Sequence, residues 1–132
     1  MEVSMHVLVV EDDPDTRELL QQALKNAGHE VYHAICVDDA LRVARLHPDI
    51  DVVVVDVHPG HRPSSLEVAQ AMRRQLPNGH CILASGDWDT LASSCHEEMT
   101  VLRKPYGKSD LLRALEHCAA RFDRAQQRKK TA

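Results

Sequence analysis

Short unbroken apolar runs alternate along the chain with longer stretches in which apolar residues return every three or four positions. A run bounded by polar residues reads as a strand buried on both faces, and the longer rhythm reads as one face of a helix. Val7-Leu8-Val9-Val10 stops at Glu11-Asp12-Asp13-Pro14, which predicts a strand with an acidic end. From Asp15 to Ala27, residues Leu19, Leu20, Ala23, Leu24 and Ala27 share a helical face, and Gly28 is a natural stop. Glu30 to Ala34 predicts a second strand, and Val37 to Leu46 a helix with Ala40, Leu41, Val43 and Ala44 inward, ended by Pro48. Val52 to Val55 are four consecutive β-branched residues, poor for a helix and good for a central strand, so Asp56 falls at a strand's carboxyl end.

The polar loop Pro59 to Ser65 leads into a helix over Leu66 to Gln75 with Val68, Ala69 and Met72 inward, and Pro77-Asn78-Gly79 turns the chain. Cys81 to Ala84 predicts a fourth strand ending at Ser85-Gly86. A weaker helical stretch, Trp88 to Cys95, precedes a short strand, Thr100 to Arg103, closed by Lys104-Pro105. Ser109 is the expected N-cap of a last helix that buries Leu111, Leu112, Leu115, Cys118, Ala119 and Phe122.

Strict strand-helix alternation predicts an α/β fold with a five-stranded parallel sheet, doubly wound, with helices on both faces. At 132 residues one domain is expected, over 5–122, with 123–132 a basic helix end or tail carrying Arg124, Arg128, Lys129 and Lys130. Aromatics make up only 3% of residues, so the core must come from Val, Leu, Ile and Ala. A net charge of -4 supplies no field to gather nucleic acid or an anionic membrane, so direct nucleic-acid binding is not expected. No apolar stretch approaches membrane-span length and no leader pattern opens the chain, so a cytoplasmic location is expected. Cys36, Cys81, Cys95 and Cys118 form no CxxC pair and read as reduced, mostly buried thiols. The nine histidines show no HExxH arrangement.

In an open parallel sheet the ligand site lies beyond the carboxyl ends of the strands. Glu11, Asp12, Asp56, Ser85 and Lys104 each end or follow a predicted strand at that edge. Each alone has a commonplace explanation, an acidic cluster being usually a solvated loop and Lys-Pro a common loop pair. Together they make a coherent chemistry. Clustered carboxylates favour a hard, magnesium-like cation, and a strand-end carboxylate beside it can attack phosphorus to give an acyl phosphate. Lys104 can hold a phosphoryl oxygen, Ser85 can donate its hydroxyl to another, and Gly86 leaves room for the anion.

Leu8-Val9-Val10-Glu11-Asp12-Asp13, Val53-Val54-Val55-Asp56, Leu83-Ala84-Ser85-Gly86 and Leu102-Arg103-Lys104-Pro105-Tyr106 resemble, in order and spacing, the receiver domains of response regulators in two-component signalling. The resemblance runs from Met5 to about Phe122 and implies the flavodoxin-like, CheY-like arrangement of the sheet. It implies Asp56 as phosphoacceptor, Asp12 as direct ligand of Mg²⁺ (Mn²⁺ in its place), Glu11 acting partly through water, and His58 completing the metal shell through its backbone carbonyl. Ser85 matches the switch hydroxyl and Lys104 the phosphoryl-contacting lysine, while Asp13 falls outside the acidic pair. The implied donor is a sensor histidine kinase or histidine phosphotransfer protein, and the implied output is a conformational change read by a downstream protein. Such a domain phosphorylates and dephosphorylates itself rather than turning over an external substrate.

Three departures stand out. Val57-His58-Pro59-Gly60 runs into Pro63-Ser64-Ser65 where an Asp-Gly pair is common, Val101 replaces the aromatic often found three before the lysine, and the segment from Ser85 to Lys104 is short. Val101 and the altered loop keep open a pseudo-receiver that binds partners without phosphorylation. A metal-dependent phosphohydrolase is the other alternative, with His58 standing where such enzymes carry an acid/base carboxylate.

Overall fold

The computed structural model describes residues 4–56, 65–86 and 99–131. Its elements follow one another as β1 (His6–Glu11), α1 (Pro14–Asn26), β2 (Glu30–Ala34), α2 (Val37–Leu46), β3 (Val52–Asp56), α3 (Ser65–Gln75), β4 (His80–Ser85), β5 (Met99–Arg103) and α4 (Lys108–Thr131). All strand pairs are parallel, in the spatial order β2-β1-β3-β4-β5. The order reverses between β1 and β3, and this is the switch point at which an open α/β sheet forms its crevice. The predicted fold class is therefore the observed one. The loop 57–64 and the stretch 87–98, where a helix over Trp88 to Cys95 was expected, lie outside the described residues.

Alternate residues of each central strand feed two cores, as the twofold period of a strand requires. Leu8, Val10, Val53, Val55, Cys81 and Leu83 meet α2 and α3 on one face. Val7, Val9, Val52, Val54, Ile82 and Ala84 meet α1 and α4 on the other. Every residue of β3 is buried, which explains why the Val52–Val55 run has no polar alternation.

The helix ends are locally encoded. Asp13 caps α1, its carboxylate accepting hydrogen bonds from the Thr16 backbone N–H at 2.9 Å and the Thr16 hydroxyl at 2.7 Å, and Pro14 occupies the first turn, where no N–H is needed. At the other end the Gly28 N–H donates to Lys25 O and the His29 N–H to Leu24 O, with Gly28 at φ 94°, the paired bonds of a Schellman stop.

Two expectations are corrected, at the start of α4 and on the inner face of α1. Helix α4 begins at Lys108, so Ser109 lies within its first turn rather than capping it. Gly107 takes the capping role: its carbonyl accepts from the Leu111 N–H and its own N–H donates to the Asp110 carboxylate at 2.9 Å. Leu19, expected on the inner face of α1, is 70% exposed, because the stripe facing the sheet is centred on Leu20 and Leu24. Among the described cysteines, Cys81 and Cys118 are buried and Cys36 is exposed. Burial pushes the Cys81 thiol up to about 12, which makes it a core residue rather than a nucleophile. The last helix runs without a break past Phe122 to Thr131.

Candidate phosphoacceptor site

Parallel pairing sets the centre of the site. Residues Val7 to Glu11 of β1 lie in register with Val52 to Asp56 of β3, so Glu11 and Asp56 are direct neighbours at the carboxyl edge. Both are buried, Glu11 completely. Adjacent buried carboxylates repel unless positive charge or hydrogen-bond donors offset them. Lys104, just beyond β5, supplies the cation, with its Nζ 2.6 Å from Asp56 Oδ1. The hydroxyl of Tyr106 donates a hydrogen bond to Asp56 Oδ2. The Asp13 N–H donates to Glu11 Oε1 at 3.0 Å, and Arg17 donates to the Glu11 backbone carbonyl at 3.0 Å, so α1 and the β1 terminus are tied together.

Burial raises the Tyr106 pKa well above the ordinary tyrosine value, and the hydrogen bond to Asp56 and the negative charges of Asp56 and Glu11 push it the same way. Tyr106 is therefore a neutral donor at physiological pH. In the sequence Tyr106 is the end of the Lys-Pro-Tyr match, and its contact with the carboxylate is not among the expectations. The available signal was the phenol: a tyrosine at the rim of a core ordinarily finds a partner for its hydroxyl. The Lys104-Pro105 peptide is cis.

The remaining site residues divide by position. Asp12 follows β1 and is only partly buried. Among the described residues no three His, Cys, Asp or Glu side chains gather as a group able to hold a metal ion, and the two carboxylates brought together are Glu11 and Asp56. Ser85 ends β4 in register with Arg103, one residue before Lys104; its side chain and the whole of His58 lie outside the described part of the structure. A Cβ built on Gly86 would meet Lys104 Cβ at 3.8 Å, ordinary contact, so Gly86 stands beside the lysine stem without being forced to be glycine by crowding. Val101 sits in β5 opposite Leu83, partly buried, and places no ring there.

Above the carboxylates an open cleft of about 710 Å³ lies between α1 and α4. Glu11, Asp56 and Lys104 line it together with Tyr106, while Leu19, Leu20, Ala23 and Leu111 give it an apolar wall. No described helix is long and apolar enough to cross a membrane.

The chain resembles known proteins over most of its length. The family profile described as "Response regulator receiver domain" matches residues 7–116. The chain is 43% identical over 79 residues to the sensory/regulatory protein RpfC of Xanthomonas campestris pv. campestris, a match covering 58% of this chain and 10% of that protein. It is 38% identical over 74 residues to the transcriptional regulatory protein YrkP of Bacillus subtilis, covering 54% of this chain and 30% of the relative. The chain thus spans a minor part of the length of these relatives. Among solved structures, a receiver protein from Sinorhizobium medicae superposes with a TM-score of 0.75 at 23% identity, covering 87% of this chain and 94% of that one. Vibrio cholerae chemotaxis protein CheY4 gives 0.75 at 23% identity, covering 88% and 99%, and NtrX from Brucella abortus 0.86 at 22%, covering 98% and 30%. These structures share the fold, and the profile, matching most of the chain, decides its kinship: the chain belongs to the receiver-domain family of two-component response regulators.

Proposed function

We propose that the domain accepts a phosphoryl group on Asp56 from a phosphohistidine of a sensor histidine kinase or histidine phosphotransfer protein, and passes the change to a protein partner. The observation that carries this reading is the placement of Asp56: a buried carboxylate at the sheet's switch point, with Lys104 at 2.6 Å and Glu11 in register beside it. Asp56 is the nucleophile, and Lys104 neutralises charge on the transferred group as a point cation. Ser85 is assigned the second contact to a phosphoryl oxygen.

The donor set fits a divalent cation. Glu11 and Asp56 set two buried carboxylates side by side, hard oxygen donors of the kind that Mg²⁺ prefers and Mn²⁺ tolerates. Glu11, Asp12 and Asp56 are the side chains assigned to it, with the backbone carbonyl of His58. When bound, the ion supplies charge neutralisation of the incoming phosphoryl oxygens. The chain's own residues do the rest: β1 and β3 fix the two carboxylates in register, burial strengthens their electrostatics, and Lys104 holds the Asp56 carboxylate in place.

A small phosphodonor such as acetyl phosphate tests this reading. With Mg²⁺ the intact protein should gain the mass of one phosphate, and chelation of the metal should abolish the gain. A protein that gains nothing under conditions in which another receiver is labelled is instead a phosphorylation-independent binding module.

A further inference from the structure

We propose that Tyr106 gates the phosphoacceptor: its hydroxyl occupies the Asp56 oxygen that must be released before phosphoryl transfer, and its ring carries the state of Asp56 into the cleft between α1 and α4. The inference rests on the reading of Asp56 as phosphoacceptor and adds a control to it.

Asp56 has two carboxylate oxygens, and both are engaged. Oδ1 meets Lys104 Nζ and Oδ2 accepts the Tyr106 hydroxyl. A carboxylate attacks phosphorus through an oxygen lone pair, and an oxygen accepting a strong hydrogen bond is less nucleophilic and is covered by the donor itself. The two contacts differ in what their release entails. Lys104 ends a flexible stem and can follow the charge outward onto a phosphoryl group. Tyr106 is a ring packed against the core formed with α1 and α4, so its hydroxyl withdraws only when the ring turns or shifts. That ring lines the same cleft as Leu19, Leu20, Ala23 and Leu111, and Leu19 is exposed at the outer edge. A change at Asp56 therefore reaches an open surface through one side chain.

The transfer itself balances simply. A bond forms between Asp56 Oδ2 and phosphorus while the bond from phosphorus to the donor's nitrogen or oxygen breaks, the electron pair staying with the leaving atom. Tyr106 keeps its proton and loses its acceptor, because the negative charge now lies on the phosphoryl oxygens further out. The ring then settles in the cleft or turns outward after them.

The test uses the whole chain as wild type, Tyr106→Phe and Asp56→Asn. Labelling by acetyl phosphate and Mg²⁺ is followed by intact mass, and the tyrosine ring carbons are followed by NMR while beryllofluoride is added with Mg²⁺. Removing one hydrogen bond to a charged group should speed labelling of Tyr106→Phe about tenfold, the lower end of what such a bond is worth. In the wild type the Tyr106 resonance should move on adding beryllofluoride, while that of Tyr32, stacked on His47, stays as an internal reference. Asp56→Asn should give neither label nor shift. Equal labelling rates in wild type and Tyr106→Phe, or a stationary Tyr106 resonance, overturn the gate and leave the phosphoacceptor standing. Absence of label on both proteins overturns the phosphoacceptor and the gate together.

Discussion

Asp56 is held from two sides by residues two positions apart, Lys104 and Tyr106, and these contacts set what a single substitution does. With Lys104 removed, the buried Asp56 carboxylate would lose its cation. Breaking a buried pair costs several kcal/mol, and the partial exposure of Lys104 reduces this, so Lys104→Met should lower the unfolding free energy by about 2 kcal/mol in metal-free buffer. Urea denaturation measures it, and an unchanged midpoint would show that the pair contributes nothing in solution. The strand-end placement of Asp56 and the Lys-Pro step were legible in the sequence, because a run of valines and a polar stop are local signals. The Tyr106 contact was not. It joins residues 50 positions apart, and only the parallel pairing of β3 with β4 and of β4 with β5 brings them together.

At the scale of elements, local chemistry marks the boundaries more sharply than the apolar rhythm does. Asp13 is the N-cap of α1, and Asp13→Ala should cost about 1 kcal/mol, read as a lowered thermal midpoint with the fold unchanged. In the core, Ile82→Ala should cost about 2–5 kcal/mol, because Ile82 is wholly buried in β4, an interior strand paired on both sides. Asp39 gives a pH test at the start of α2. The hydrogen bond from Arg42 and, after it, that from the Ile35 N–H hold its carboxyl below the ordinary value of 3.8. A depressed carboxyl stabilises the fold fully above its unfolded value and loses that contribution as pH falls through its folded value. Asp39→Asn should therefore flatten the loss of stability below about pH 4, an unfolded carboxylate's range, and leave the slope above it unchanged. The periodic signal found every described helix and strand, yet it could not say which side of an apolar stripe the sheet would cover. Leu19 and Leu46 share the rhythm of their helices and lie exposed, since a helix buries only the arc that touches the strands. The start of α4 was misread at Ser109 because serine is a good cap anywhere, whereas the choice of Gly107 depended on Asp110 reaching back to it.

For the whole molecule, the order β2-β1-β3-β4-β5 brings three distant segments to one edge; strand-helix alternation implies the parallel sheet and its shared carboxyl edge, and the family resemblance implies the order. What alternation leaves undetermined is charge balance at that edge, which depends on which side chains meet. The adjacent buried carboxylates of Glu11 and Asp56 predict that Mg²⁺ stabilises the fold, by about 2.7 kcal/mol at a hundred times its dissociation constant. Asp12→Ala should lose most of this gain; a full gain in that variant removes Asp12 from the ion's ligands. What matters most is where the phosphoryl group goes. Peptide mapping by mass spectrometry after labelling with acetyl phosphate and Mg²⁺ addresses it most directly. The phosphate should lie on the peptide containing Asp56 and be absent from Asp56→Asn, whereas phosphate on the Glu11–Asp13 peptide, or undiminished labelling of Asp56→Asn, would contradict it.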